Sequence, residues 1–392
     1  MNILVVSSKY PPEYSGSGNR ISLLYDRLKK KYDSISLHVI CNSTEYVNSN
    51  KEYIYKNIKV SRVSSNLINK KHGLFYKVFK LVDIYIEFFR TLLIIRKRNI
   101  DLVHVIGTSV STATAIFWAN IKKIPLLIEM VNTGATPDQN LPLLKYFYQP
   151  NLESNTKIIV ISKELEKKAK KLVDKKRIWC RPNPIDEEKF NCELNKKETY
   201  RTEYTSFGAK DIILTSVAKF MPLKNQLFLI KVLKELPSKY KLILCGPIVK
   251  SGIHSRRDND YFNKIKEKIN DNELTDRVLI IREYVDSSKY MKLSDVYVMP
   301  HHHEGLGTPM LESLACGTPV IANSEVPSFQ QWIQHGVNGY LCKLNIKEWL
   351  RAIEKIDSLN SNILIDNSHN LINSFSTKRI DSDYWKIINS FN

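Results

Sequence analysis

The segment DVYVMPHHHEGLGTPMLESLACGTPVIA, residues 295–322, contains a strand, a glycine-containing loop and the start of a helix in direct succession. The strand ends at Met299 and Pro300, and Pro309 is typical of the first turn of a helix that begins at Thr308. This succession is typical of doubly wound α/β sheets, in which ligands bind at the carboxyl ends of the strands.

The same alternation extends along the chain on both sides of this segment. Short apolar runs between helix-length amphipathic segments predict a parallel sheet that is covered on both faces. In the first half, strands are expected over 2–7, 101–106, 124–130 and 157–161, with helices near 19–31, 73–98, 110–121 and 163–173. In the second half, strands are expected over 212–217, 241–245, 277–281 and 295–299. The sequence therefore predicts two doubly wound domains in tandem.

The length of 392 residues also favours two domains. Prolines at 182 and 184 forbid a continuing helix, and the acidic, polar stretch from Asp186 to about residue 210 is interpreted as a linker. The predicted domains are residues 1–184 and 185–370, with 371–392 as a C-terminal helix that packs back toward the first domain. A cleft is expected between two facing domains of this kind.

Composition indicates a folded globular protein, since 43% of residues are hydrophobic and 25% are charged. The formal net charge is +19, and most of it lies in residues 1–186, which hold 31 basic and 15 acidic side chains. This asymmetry suggests an anionic partner for the first half of the chain. A membrane, a nucleic acid and a charged glycan all remain open on this evidence.

The six cysteines show no framework spacing, which favours a reducing cytosol. The N-terminal run lacks the basic lead of a signal peptide. Residues 102–121 carry no formal charge, but polar side chains and Gly107 interrupt them, so a strand, a turn and a helix are expected there rather than a membrane span.

The loop after Met299 has the composition of an anion site. Backbone N–H groups over residues 305–308, at a helix N-terminus, suit a diphosphate. Glu304 and Glu312 flank this loop, and ionised carboxylates accept hydrogen bonds from sugar hydroxyls. The alternatives are that Glu304 only favours the helix dipole and that Glu312 lies on a solvated face.

Two lysines form a second candidate group in the segment IILTSVAKFMPLKN, residues 212–225. Lys219 follows a strand, and Lys224 is expected to open a helix. At the ligand-binding edge of a sheet, two ammonium groups can converge on one phosphate-sized anion. The alternative is that both are ordinary surface charges.

The segment EGLGTPMLESLACGTPVIA resembles the donor-site signature of glycosyltransferase family 4, the retaining enzymes of the GT-B fold found in bacterial polysaccharide and glycolipid synthesis. Other segments occur in the order that this family shows: YPPEYSGSGNR, DLVHVIG, VISKEL, RPNPIDEEKF, AKFMPLKN and HGVNGYL. The resemblance covers nearly the whole chain. It implies two Rossmann-like domains that face a central cleft, with the acceptor on the first domain and a nucleotide-sugar donor on the second.

The resemblance also implies roles for the candidate residues. Lys219, where the family usually has arginine, would bind the donor diphosphate together with Lys224, and Glu304 would contact the transferred sugar. Glu312 would hold the nucleotide ribose, and Gly16 would let the first loop approach the phosphate. The rest of the implied cradle consists of the backbone amides of Gly305, Leu306, Gly307 and Thr308.

The implied mechanism uses an oxocarbenium-like state in which the departing diphosphate accepts the acceptor's proton. Neither a metal nor another cofactor is expected. Two departures are that Val131 and Asn132 stand where many members carry a histidine, and that Gln331 stands where a glutamate is frequent. Base recognition is expected near residues 282–284.

Three other features of the sequence bear on this assignment. His301, His302 and His303 alternate in direction in an extended loop, which favours a polar pocket wall over a metal site. Gly16 and Gly18 match the first half of the dinucleotide-binding fingerprint, but Ile21 occupies the position of its last glycine. A nicotinamide-dependent enzyme is therefore not expected.

Residues 67–98 combine eight basic and two acidic residues with several aromatic rings. They predict either a long buried helix or a membrane-surface helix, and residues 163–177 add further positive charge. A cytoplasmic protein at the inner face of the plasma membrane is expected. Its predicted partners are a nucleotide-sugar donor, a glycan or lipid-linked acceptor and an anionic membrane, but not nucleic acid. The alternatives are a nucleotide-sugar epimerase, a nucleic-acid-binding protein and a catalytically silent partner subunit.

Overall fold

A computed structural model describes residues 1–13, 15–42, 52–64, 76–131, 152, 155–248, 255–283 and 285–391. The chain divides into two compact units. The first contains Met1–Arg181 together with Asp381–Asn392, and the second contains Pro182–Ile380.

The first unit is built on a sheet whose strand order is β3-β4-β2-β1-β5-β6-β7-β8. Its strands are β1 (Asn2–Ser7), β2 (Ser36–Cys41), β3 (Glu52–Tyr55), β4 (Ile58–Arg62), β5 (Leu102–Ile106), β6 (Leu126–Met130), β7 (Thr156–Val160) and β8 (Ile178–Cys180). Its helices are α1 (Gly16–Lys31), α2 (Tyr76–Arg96), α3 (Val110–Lys122) and α4 (Lys163–Ala169). Only β3 pairs antiparallel among the described strands. The residues of β5 and β6 are buried throughout, as expected for parallel strands covered on both faces.

The second unit has a parallel sheet with the order β11-β10-β9-β12-β13-β14. Its strands are β9 (Ile212–Val217), β10 (Tyr240–Cys245), β11 (Val278–Ile281), β12 (Val296–Met299), β13 (Val320–Asn323) and β14 (Gly339–Cys342). Its helices are α5 (Lys197–Tyr204), α6 (Gln226–Glu235), α7 (Ser255–Asp271), α8 (Ser287–Leu293), α9 (Thr308–Ala315), α10 (Pro327–Gln330), α11 (Ile346–Glu354) and α12 (Ser361–Phe375). Helix α13 (Thr377–Asn389) begins in this unit and continues into the first.

The predicted alternation of strands and helices is confirmed, including a strand and a helix, β5 and α3, across the uncharged residues 102–121. Helix α4 is shorter than expected and ends at Ala169. No helix in the described ranges is long and apolar enough to cross a membrane.

The interpretation of the stretch from Asp186 to about residue 210 as a linker is wrong. This stretch contains α5, whose Arg201 side chain is buried. Its Nε atom donates to the carbonyl oxygen of Leu293 at 3.0 Å, and its Nη2 atom donates to Asp295 at 2.6 Å. A polar composition conceals this packing, because α5 combines the buried hydrogen bonds of Arg201 with only two aromatic side chains, Tyr200 and Tyr204, that pack against the core.

A buried ionic network attaches the C-terminal residues to the first unit. The carboxylate of Glu129 on β6 lies 2.6 Å from Arg20 and 2.9 Å from Arg181, and it accepts a hydrogen bond from Tyr384 of α13 at 2.8 Å. These positive charges outweigh the cost of burial and lower the pKa of Glu129. The carboxylate therefore stays ionised in the core and holds elements that are far apart in the sequence.

Candidate functional site

The strand order of the second unit brings the two groups of candidate residues together. Strands β9 and β12 are separated in the sequence by β10 and β11, yet they are neighbours in the sheet. The chain leaves β9 toward one sheet edge and leaves β12 toward the other, so a topological switch point lies between their carboxyl ends. Lys219 and Lys224 follow β9, and Glu304 follows β12.

The loop after β9 presents Lys224 differently from the prediction. Lys224 does not open α6 but ends a 3₁₀ turn, Pro222–Lys224, and Asn225 in a left-handed conformation separates that turn from the helix. The side-chain amide of Gln226 donates to the carbonyl oxygen of Lys219 at 2.8 Å, which ties the loop back on itself. The Lys224 side chain is 19% exposed, so it is not an ordinary surface lysine.

Hydrogen bonds from neighbouring segments hold the loop after β12. The amide of His302 donates to the carbonyl oxygen of Leu223 at 3.1 Å, which joins this loop to the turn that carries Lys224. Asn323, at the end of β13, donates to the carbonyl oxygen of His301 at 3.0 Å. Ser328 donates to the carbonyl oxygen of Glu304 at 3.1 Å. The backbone around Glu304 is therefore supported from three sides.

These supports create a compact charged cluster of Lys224, His301 and Glu304. Lys224 Nζ forms an ion pair with Glu304 Oε2 and lies 3.5 Å from His301 Nδ1. His301 Nδ1 lies 3.0 Å from the same carboxylate oxygen. Burial alone would raise the pKa of Glu304, but the hydrogen bond from His301 and the charge of Lys224 hold it at about 2. Glu304 is therefore an ionised acceptor.

His301 was predicted only as part of a polar wall, and the structure gives it a closer role. It is buried, whereas His302 and His303 are exposed. Burial lowers the pKa of His301 to about 4, so the imidazole is neutral and donates from Nδ1 to Glu304. Its Nε2 atom has no hydrogen-bond partner among the described residues. The sequence feature that indicates this role is the position of His301 immediately after the strand that ends at Met299 and Pro300.

The N-terminus of α9 forms the other side of the site. Gly307 precedes the helix with a φ of 80°, and a Cβ atom there would lie 2.7 Å from the ring of Phe329. Glycine is therefore required at 307 both by its conformation and by its packing. Within the described ranges, no hydrogen bond is donated by the backbone amides of Gly305, Leu306, Gly307 and Thr308. Four unpaired N–H groups at a helix N-terminus suit an anion.

Asn183 is a further residue at this helix end, and it was not predicted. Its side-chain amide donates to Thr308 Oγ1 at 2.7 Å. Its Oδ1 atom is buried and accepts no hydrogen bond among the described residues. Sequence analysis identifies Asn183 only as part of a segment that breaks a helix. Its contact with Thr308 spans 125 positions, so the local sequence pattern does not indicate it.

Glu312 is half-buried in α9, so it does not lie on a solvated face. Burial, with the nearby charges of Asp186 and Asp286, raises its pKa to about 7. Its carboxylate has no hydrogen-bond or ion-pair partner within the described part of the chain. The group is thus available to an external donor of hydrogen bonds.

Gly16 lies in the first unit, where it begins α1 after β1. Ser15 caps this helix by accepting a hydrogen bond from the amide of Gly18. A Cβ atom at Gly16 would meet no atom within 4 Å, whereas one at Gly18 would lie 2.3 Å from the carbonyl oxygen of Lys9. Packing within this unit therefore requires glycine at 18 but not at 16.

The residues predicted to recognise the nucleotide base lie outside this cluster. Arg282 and Glu283 are exposed at the end of β11, an edge strand separated from β9 by β10. Tyr284, like Asn132, is outside the described residues. Base recognition near Arg282 stays a prediction.

Comparison with known proteins identifies a family that the second unit resembles. A family model described as glycosyl transferases group 1 matches residues 197–373. These residues include Lys219, Lys224, Glu304 and Glu312. The matched residues all lie within the second unit.

Relatives with similar sequences extend over most of the chain. An uncharacterized glycosyltransferase of Methanocaldococcus jannaschii is 26% identical over 372 residues, which cover 92% of this chain and 89% of the relative. The UDP-Gal:alpha-D-GlcNAc-diphosphoundecaprenol alpha-1,3-galactosyltransferase of Escherichia coli is 25% identical over 299 residues, covering 74% of this chain and 75% of that protein.

Solved structures match the whole chain. HepE of Anabaena, in complex with UDP and glucose, has a TM-score of 0.74 at 17% identity and covers 100% of both chains. Sucrose-phosphate synthase of Thermosynechococcus elongatus has a TM-score of 0.74 at 15% identity, covering 99% of this chain and 98% of that chain. These likenesses confirm the predicted GT-B fold.

Proposed function

We propose that this protein is a retaining glycosyltransferase of family 4 that transfers a sugar from a nucleotide-sugar donor to a glycan or lipid-linked acceptor. The observation that carries the proposal is the cluster of Lys224, His301 and Glu304 beside the unpaired amides at the start of α9. The cluster lies at the switch point of the sheet, inside the residues that match the glycosyl transferases group 1 family.

The donor diphosphate would bind between the two loops. The amides of residues 305–308 supply directed donors, and the helix end favours negative charge. Lys224 and Lys219 supply full positive charges from the loop after β9. This combination suits a leaving group whose negative charge grows as the sugar departs.

Donor binding requires Lys224 to exchange partners. Without donor its ammonium group pairs with Glu304. A bound diphosphate carries more negative charge than one carboxylate and draws the ammonium toward its oxygens. Glu304 then keeps the hydrogen bond from His301 and accepts hydrogen bonds from hydroxyls of the transferred sugar. His301 in this way preserves the orientation of Glu304 when its ion pair is lost.

Glu312 would hold the ribose of the nucleotide. Its carboxylate is half-buried and has no partner among the described residues, so two ribose hydroxyls would satisfy it. Hydrogen bonds from those hydroxyls favour the ionised form. Binding would therefore lower the raised pKa of this group.

The transfer step conserves atoms and charge. The bond between the anomeric carbon and the diphosphate oxygen breaks, and a bond from the acceptor hydroxyl oxygen to the same face of that carbon forms. The acceptor's proton passes to the departing diphosphate oxygen. The protein then contributes orientation and charge stabilisation rather than a general base. We expect Lys219, Lys224 and the helix end to make a metal ion or other cofactor unnecessary.

The acceptor class is proposed from the relatives. The E. coli relative is named for a sugar carried on diphosphoundecaprenol, which is a lipid-linked acceptor. A similar acceptor would place the reaction in cell-surface polysaccharide or glycoconjugate synthesis. The proposal includes a cytoplasmic location at the inner face of the plasma membrane, and the scattered spacing of the six cysteines suits a reducing compartment.

A ligand screen tests the proposal. The purified chain is heated with UDP, GDP, ADP and the corresponding nucleotide sugars, because a ligand that binds the native state raises the melting temperature by mass action. At least one nucleoside diphosphate should stabilise the wild-type protein and should fail to stabilise Lys224→Ala. Absence of stabilisation by every nucleotide would contradict the proposed donor site.

Donor turnover then separates the alternative functions. A glycosyltransferase consumes the stabilising nucleotide sugar productively only when an acceptor is present, and the product retains the anomeric configuration. An epimerase converts the donor without any acceptor. A nucleic-acid-binding protein would show salt-dependent affinity for DNA or RNA and no donor turnover.

A further inference from the structure

Asn183 lies in a short segment of the second unit whose backbone is fixed. It stands between two prolines, and the proline that follows it restricts Asn183 to extended conformations. Ile185 is buried, its amide donates to the carbonyl oxygen of Phe375 at 2.8 Å, and its carbonyl oxygen accepts from the amide of Thr377 at 2.9 Å. The junction of α12 and α13 therefore anchors the segment that presents Asn183 to the start of α9.

The hydrogen bond from Asn183 determines where the hydroxyl of Thr308 can donate. The Nδ2 atom of Asn183 donates to Thr308 Oγ1 at 2.7 Å, and an amide nitrogen cannot accept in return. A hydroxyl has one hydrogen and two acceptor lone pairs. The hydrogen on Thr308 Oγ1 is therefore directed away from Asn183, and no group in the described part of the chain accepts it.

The place of Thr308 in α9 puts this hydroxyl beside the unpaired backbone amides. Thr308 is the first residue of the helix, and the side chains of a helix tilt toward its N-terminus. The residue is half-buried, so part of it is accessible to a ligand. The amides of residues 305–308, which donate no hydrogen bond within the described ranges, lie at the same helix end. A side-chain donor is thus added to the backbone donors of the anion site.

The orientation of the Asn183 amide leaves a buried acceptor without a partner. Its Oδ1 atom accepts no hydrogen bond among the described residues, and such an atom destabilises a fold because it loses its hydrogen bonds to water. The reverse orientation would not remove this cost, since Nδ2 would then be the buried unpaired atom. The stability of the chain therefore gives little preference between the two. An anionic ligand does prefer one, because only the observed orientation leaves the Thr308 hydrogen free to bind it.

We infer that the Thr308 hydroxyl donates to the phosphate that carries the sugar, and that Asn183 is the positioning residue that keeps this hydroxyl a donor. This role of Thr308 rests on the proposed function, because it adds a contact to the same donor site. Glu312, the proposed ribose ligand, lies one turn further along α9, whereas the Thr308 side chain tilts toward the helix start and the loop of Glu304. The phosphate next to the sugar is therefore the partner of Thr308. A donor at that phosphate stabilises the charge that grows on the leaving group.

Calorimetric titration of the full chain with two nucleotides tests the role of the Thr308 hydroxyl. The first is whichever of UDP, GDP and ADP stabilises the wild type most, and the second is the monophosphate of the same nucleoside. Thr308→Val, which keeps the shape of the side chain, should weaken binding of the diphosphate about tenfold and of the monophosphate less than about twofold. Thr308→Ser, which keeps the hydroxyl, should bind the diphosphate within about threefold of the wild type.

Variants of Asn183 test the positioning. Asn183→Ala should weaken diphosphate binding roughly threefold to fivefold, but it should cause no further loss in the Thr308→Val background, where the hydroxyl is absent. Asn183→Asp can accept but not donate, so it should draw the Thr308 hydrogen toward itself and weaken diphosphate binding at least about tenfold. The same change in the Thr308→Val background measures the part of this loss that comes from the added charge alone.

Two matched controls lie in the same unit. Asn367→Ala removes a side-chain amide that also donates one hydrogen bond, to the carbonyl oxygen of Ile363 at 2.9 Å. Thr202→Val changes an exposed threonine of α5. Both variants should bind the diphosphate and the monophosphate like the wild type.

The outcomes separate this role from the donor site as a whole. Full diphosphate affinity in Thr308→Val, with a loss in Lys224→Ala, would overturn the role of the hydroxyl and leave the proposed donor site standing. An equal loss for both nucleotides would instead make Thr308 and Asn183 a structural pair at the helix end. A further loss from Asn183→Ala in the Thr308→Val background would show that Asn183 does not act through the hydroxyl. A wild-type protein that binds no nucleotide would overturn both proposals.

Discussion

His301 Nδ1 lies 3.0 Å from Oε2 of Glu304, and the same oxygen pairs with Lys224. A neutral, buried imidazole thus shares a carboxylate with a charged ammonium group, which in the proposed function leaves the carboxylate when the donor diphosphate binds. Glu304 would therefore keep the hydrogen bond from His301 both with and without bound donor. Substitutions in the cluster test this arrangement.

Lys224→Ala and Glu304→Ala should each reduce transfer by about 10²- to 10³-fold or more, because each removes a charge aimed at the donor. Initial rates at saturating acceptor check this expectation. The matched control is Lys231→Ala, which removes an exposed lysine of α6 and should keep the wild-type rate. Either site variant with near wild-type turnover and an unchanged melting temperature would refute the site.

His301 should make the stability of the protein depend on pH. Its pKa is about 4 in the folded protein against 6.5 ordinarily, so the unfolded chain binds the proton more strongly. Stability therefore falls as the pH drops from 6.5 toward 4, with about 2 kcal/mol lost by pH 5. His301→Asn, which keeps a donor near Nδ1, should remove this part of the dependence, as measured by urea unfolding at pH 7 and pH 5.

The transfer rates of two variants at position 301 distinguish the hydrogen bond to Glu304 from the packing of the side chain. His301→Asn should retain most of the transfer rate, because its amide can donate to Glu304. His301→Leu keeps apolar bulk but cannot donate, and its rate should fall by at least about tenfold. Equal rates for the two variants would mean that the hydrogen bond to Glu304 is not needed.

Glu312→Gln should stabilise the protein without donor but weaken nucleotide binding. The raised pKa of about 7 means that the folded protein holds the proton more strongly than the unfolded chain, so stability is lost as the pH rises from 4.5 through 7. The variant should therefore gain about 1–3 kcal/mol at pH 8 and little at pH 4.

Calorimetric titration with the stabilising nucleotide completes this test, with an expected loss of about tenfold in affinity for Glu312→Gln. The control is Glu325→Gln, an exposed carboxylate in the same unit, which should change neither quantity. Unchanged affinity in Glu312→Gln would remove this residue from the proposed ribose site.

Glu129→Gln should destabilise the first unit by about 3–5 kcal/mol, because it leaves Arg20 and Arg181 buried without their shared counter-charge. Tyr384→Phe removes the hydroxyl that donates to the carboxylate and accepts from Arg181 and Arg20, but it leaves the ion pairs in place and should cost about 1–2 kcal/mol. Denaturant unfolding measures both, and equal costs for the two variants would contradict the central role of the ion pairs.

Chelation tests the expectation that no metal is required. Transfer by the wild-type protein should change less than about twofold on adding EDTA or Mg²⁺, since lysines and a helix end supply the positive charge at the leaving group. A rate that is abolished by EDTA and restored by Mg²⁺ would assign part of this work to a metal ion.

Much of this site could be predicted locally. Glu304, the loop glycines and the start of α9 at Thr308 occupy one continuous segment, and the proline at 309 and the position of Gly307 mark the helix start. The pairing of Lys224 with His301 and Glu304 could not be predicted in the same way. It requires β9 and β12 to be neighbours, and strand order is determined by contacts between distant parts of the chain.

The amino-acid sequence determined the alternation of strands and helices, the carboxylates and lysines of the candidate site, and the excess of positive charge in the first half, because each depends on residue type and local spacing. Folding decided which of these groups meet. It buried His301 against Glu304, left Glu312 without a partner among the described residues, and turned Asp83 and Glu87 of α2 inward. Burial and hydrogen bonding depend on long-range packing, so these relationships arise only when the sheets and helices assemble.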